Sequence, residues 1–174
     1  KLVIGFTSVV TFAVVISATA FYGLNMLQEN TQKMYDKDLI GISLLRSLNR
    51  DINLVGRTVN RMALASSFGD DTGVQKGKEA IAKVKTDLLA NYEKSKGTII
   101  RPELKAKLDG VGAQITDYFS QVDTIISSLE NKGGAAAAYK IISSKEYQDS
   151  LAKVMGEIKD IAAVKVEAVS YTHL

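Results

Sequence analysis

Apolar positions return every three or four residues along most of this chain, most clearly at Leu104, Leu108, Val111, Ile115, Tyr118, Val122, Ile125 and Leu129. Alternating steps of four and three place all of them on one side of an α-helix, as a heptad seam. The same stepping links Leu45, Leu48, Ile52, Val55, Val59 and Met62, then Val74, Ile81, Val84, Leu88 and Tyr92, and last Tyr147, Leu151, Val154, Ile158 and Ile161. Four amphipathic helices are therefore predicted, numbered one to four in chain order.

Three breaks separate them. The stretch FGDDTG at 68–73 turns the chain, with Thr72 and Gln75 spaced as a capping box for helix two. Gly97 closes helix two, and Pro102 suits the first turn of helix three. Gly133 and Gly134 make the last corner, and a second capping-box spacing, Ser143 with Glu146, leaves helix four either kinked or restarted there. Four such helices joined by short connections bury their seams best as an all-α, antiparallel, up-down-up-down four-helix bundle.

The first residues follow a different pattern. From Leu2 to Gln28 there is no charged residue, a run long enough to cross a hydrocarbon layer of about 30 Å. It exceeds the apolar core of a signal peptide, so a retained transmembrane helix at 1–28 is favoured, continuous with helix one of a bundle at 29–169. Lys1 against Glu29 places the start on the cytoplasmic side by the positive-inside bias. On this layout helix one rises roughly 60 Å from the bilayer, and helix four returns to it, where a second span is expected. The closing SYTHL, 170–174, drops the apolar spacing and holds the single histidine, so it is set apart as a tail without function.

Charge narrows the partners. Lys1 is the only charged residue in the first 28, so residues 29–174 carry 21 Lys or Arg against 19 Asp or Glu, a net of +2. Nucleic acid needs a concentrated basic field and is not an expected partner. The absence of cysteine excludes disulfides and thiolate metal sites. Catalysis has no constellation to work with. The sole His173 stands in the tail, the carboxylates scatter over polar helix positions, and Gly110 and Gly112 fall inside a heptad helix rather than in a phosphate-binding loop. No enzyme activity, metal or cofactor is expected.

One chemical signal is left. Arg46, Arg50, Arg57 and Arg61 fall within about 60° of one another around helix one, roughly opposite its apolar seam. Guanidinium forks grip carboxylates in bidentate fashion, so converging arginines make an anion site. Leu39, Ile42 and Leu64 share this face and acidic partners are scarce on it, which suits a homodimer contact with anion capacity better than a purely solvated face.

An apolar helix leading into KMYDKDLIGISLLRSLNRDINLVGRTVNRMALA resembles the N-terminal part of bacterial methyl-accepting chemotaxis receptors with a four-helix-bundle sensor, and the resemblance covers essentially residues 1–169. It implies a periplasmic sensor domain anchored in the inner membrane, dimeric through helix one, that signals across the membrane. In the aspartate and serine receptors of that family, arginines of helix one hold the ligand carboxylate and polar groups near the start of helix four hold the rest. By resemblance Arg57 and Arg61, with INL at 52–54 before them, correspond to the last two of those arginines. Arg50 is near the first at a longer spacing. Tyr139, Ser143 and Ser144 occupy the helix-four region. The implied ligand is a small carboxylate, an organic acid or amino acid. Two alternatives are the same input domain on a histidine kinase or cyclase, and a membrane-tethered scaffold or adaptor for a ligand-loaded binding protein.

Overall fold

The computed structural model describes residues 2–131 and 133–171. Lys1, used above for orientation, and the tail residues Thr172, His173 and Leu174 lie outside the described residues. The chain is all-α: α1 (Leu2–Lys33), a π-helical stretch (Met34–Leu39), α2 (Ile40–Ser67), α3 (Asp71–Lys96), α4 (Pro102–Leu129), α5 (Ala135–Ile142) and α6 (Lys145–Tyr171). It divides into two compact units, Lys1–Asp36 and Lys37–Leu174.

The first unit holds α1, a helix long and apolar enough to cross a membrane. Its described side chains are exposed, including Phe12, Ile16, Phe21 and Leu24.

The second unit is the four-helix bundle, with α2, α3 and α4 as predicted helices one to three and α5 with α6 as helix four. Every residue of the seam from Leu104 to Leu129 is buried, as are Leu45, Leu48, Ile52, Val55, Val59 and Met62 on α2. Burying each large aliphatic side chain contributes about 1.5 to 3 kcal/mol, so these seams dominate the bundle's stability. Cross-helix contacts fix an antiparallel order. The start of α3 meets the end of α4 through Lys78 and Glu130, Lys85 reaches Asp123 at 3.2 Å, and the Tyr92 hydroxyl donates to the Leu108 carbonyl at 3.1 Å. Midway, Asn49 Nδ2 of α2 donates to the Met155 carbonyl of α6 at 3.1 Å.

The turns are built somewhat differently from the capping boxes predicted above. The cap of α3 is Asp70, whose carboxylate accepts the Gly73 N–H at 2.8 Å, rather than Thr72. A carboxylate there also meets the partial positive charge of the helix start. Helix four does restart. The Ser143 hydroxyl donates back to the Tyr139 carbonyl at 2.7 Å, and Ser144 caps α6 by accepting the Tyr147 N–H at 3.2 Å. At the preceding corner Gly133 adopts φ 78°, and a Cβ at Gly134 would stand 1.7 Å from the Ser128 carbonyl oxygen, so the chain can close there only without side chains.

Where α2 begins, the fold buries a cation. Lys165 of α6 is 4% exposed, and its ammonium donates to Asp38 at 3.0 Å and to the Thr98 carbonyl at 2.9 Å. Gly41 opens the space for its stem, since a Cβ there would lie 2.6 Å from Lys165 Cε and from Thr98 Oγ1.

Candidate functional site

Because α2 packs against α3 on one side and α6 on the other, one strip of it stays uncovered. Arg46, Arg50, Arg57 and Arg61 all stand on that strip and all are exposed. Leu39 and Leu64 join them at 44% and 51% exposure. Ile42 does not: it is buried at 7%, because its position lies about 70° from the centre of the arginines toward the core. Its assignment to the outer face is corrected accordingly.

Arg57 and Arg61 make no ion pair among the described residues, and their guanidinium forks point free donors outward from one turn of helix. Arg50 differs. Its Nε donates to Asp51 Oδ1 at 2.9 Å and its Nη2 lies 2.9 Å from the same oxygen, while the arginine side chain keeps 69% exposure. Asp51 itself is 4% exposed, and its second oxygen, Oδ2, is buried without a hydrogen-bond partner. A buried carboxylate holding an exposed guanidinium from the side was not foreseen in the sequence. The available signal was an acid set three residues after Leu48 and four before Val55, on the flank of a seam that otherwise takes apolar residues.

Among the helix-four candidates, Tyr139 is 39% exposed on α5, and α5 packs on α2, so it sits at the same end of the bundle as Arg57 and Arg61. Ser143 and Ser144 are engaged in the joint between α5 and α6, although the proton of Ser144 and the lone pairs of Ser143 are left for other partners. No hydrogen bond or ion pair links these three to the arginines among the described residues.

Beneath this level, two buried phenols meet inside the bundle. The hydroxyls of Tyr118 and Tyr147 are 3.3 Å apart, and the backbone of Gly56, beside Arg57, faces them. Burial pushes both phenol pKa values up, and for Tyr118 the neighbouring Tyr147 adds to the shift.

The surface has hollows at the lower end of the strip. One of about 320 Å³ lies between α2 and α6, bordered by Arg46, Asn49, Arg50 and Lys159 above Leu45, Ile158 and Ala162. A second of about 320 Å³ lies along α2 and Leu39 just before it, and shares Arg46 and Arg50 with the first. Among the described residues no group of three metal-ligating side chains is close enough to hold an ion.

The family model described as a four helix bundle sensory module for signal transduction matches residues 1–172. The chain belongs to this family. The family is the sensory module of methyl-accepting chemotaxis proteins, a signal-transduction module rather than a catalytic domain. No curated protein and no solved structure matches the chain. For a sensory module, an uncovered row of arginines on α2 is a chemically specific surface.

Proposed function

We propose that this sensory module is the input domain of a bacterial transmembrane chemoreceptor, with α1 as its span in the inner membrane and the bundle in the periplasm. It senses a small carboxylate, an organic acid or amino acid, gripped by Arg57 and Arg61 and completed by polar groups around Tyr139, Ser143 and Ser144. Two copies pair through α2, so that the exposed Leu39 and Leu64 are covered and arginines from both copies converge on one anion.

The observation that carries this reading is the strip of exposed guanidinium groups on α2 with no acid among them at Arg57 and Arg61. Like charges facing each other across a dimer repel, and a bound carboxylate between them removes that cost. Ligand affinity and dimerisation are thereby linked, and a ligand preferring one arrangement of helices shifts the population toward it. The free strip equally fits a receptor for a ligand-loaded binding protein, and the two readings part on whether small acids bind alone.

Thermal unfolding of the chain against a panel of organic acids and amino acids tests it. A ligand at 100 times its Kd adds about 2.7 kcal/mol of stability. Binding that is abolished by Arg57→Gln and by Arg61→Gln supports the site, and a panel without any stabilising acid overturns it.

A further inference from the structure

The arginine strip consists of two pairs. At about 1.5 Å per residue, Arg46 and Arg50 are about 6 Å apart along α2, as are Arg57 and Arg61, while about 10 Å separates Arg50 from Arg57. A small carboxylate held by the upper pair does not reach the lower one. The lower pair therefore has its own surroundings, and these are unlike those of the upper pair.

Arg46 and Arg50 stand over the hollow of about 320 Å³ between α2 and α6, and α6 adds a third cation, Lys159. No carboxylate lines it, its lining is mostly apolar, and Leu45 and Ile158 lie fully buried beneath the half-buried Ala162. Arg46 and Lys159 are exposed and form no ion pair among the described residues. Arg50 is held on its Nε and Nη2 side by the buried Asp51, which fixes the guanidinium plane and leaves Nη1 for another acceptor. Asn49 ties α2 to α6 along the same rim through the Met155 carbonyl. The volume is at the small end of ligand pockets, and cations over an aliphatic floor match a ligand with a charged head and a short apolar tail.

We propose that this hollow is a second anion site that binds a short-chain aliphatic monocarboxylate, with its carboxylate on Arg46, Arg50 and Lys159 and its tail along Ala162, above the buried Leu45 and Ile158. A ligand there bridges α2 and α6 within one copy, so it needs neither the partner copy nor the upper arginines.

Calorimetric titration of the whole chain in detergent micelles, with hexanoate and acetate as probes and empty micelles as the blank, decides the matter. Hexanoate is expected to bind, at least tenfold more tightly than acetate. In the double variant Arg57→Gln with Arg61→Gln, which silences the upper carboxylate site, hexanoate should still bind, and adding Arg46→Gln or Lys159→Gln should weaken it at least tenfold. No hexanoate binding overturns the proposal, as does equal affinity for acetate or binding that survives both lower-site variants. Loss in the upper double variant alone also overturns it, while leaving the upper carboxylate site intact.

Discussion

Asp51 places a carboxyl group at a position where its neighbours along the helix, Leu48, Ile52 and Val55, are fully buried. One of its oxygens has Arg50 and the other has nothing, which is costly in a place that water does not reach. Removing the carboxylate strands no buried partner, because Arg50 is exposed and returns to water. Asp51→Leu is therefore expected to raise stability in denaturant unfolding by about 1 kcal/mol, the sign being the informative part. Gly41 presents the opposite case. Gly41→Ala forces a methyl group against Lys165 and Thr98 and is expected to cost about 1 to 3 kcal/mol in the same assay. Neither residue announces its role in the sequence. A lone acid beside an arginine reads as surface, and the need for glycine at 41 arises from a lysine 124 positions further along the chain.

At the scale of elements, the seams were legible and the caps less so. Heptad spacing depends only on which residues must leave water, and the seams predicted for helices one and three are buried at every position. Cap identity depends on local backbone geometry to within a residue, and several candidates compete at each corner: Asp70 prevails over Thr72, and Ser144 over Ser143. Of the candidate site, the arginine strip was legible because charge and helical period suffice to find it. Its division into two pairs with different neighbours was not, because Lys159, Ile158 and Ala162 come from α6. The α6 cap supplies a direct check. Ser144→Ala should cost about 1 kcal/mol, measured as a lowered unfolding midpoint, whereas Ser143→Ala should cost less because it removes only a hydroxyl bonded back to its own helix.

For the molecule as a whole, the buried phenols set an alkaline limit. Tyr118 and Tyr147 keep their protons in the folded bundle beyond pH 10.0, where exposed phenols in the unfolded chain begin to lose theirs. The folded state then binds more protons than the unfolded one, so stability is whole below pH 10.0 and falls as pH rises above it. Each retained proton contributes about 1.4 kcal/mol per pH unit to that fall. Urea unfolding at several alkaline pH values is expected to show the slope, and Tyr118→Phe with Tyr147→Phe to flatten it.

The buried ammonium of Lys165 has a mechanical consequence. It ties α6 to Asp38 before α2 and to the carbonyl of Thr98 after α3, in a slot that Gly41 leaves just wide enough. A glide of α6 by about 1 to 2 Å along its axis would carry the buried ammonium away from both oxygens at once, at the cost of leaving it unpaired. Small pushes are absorbed and large ones release the tether. Any sliding of α6 therefore has to break this tether at the base of the bundle first.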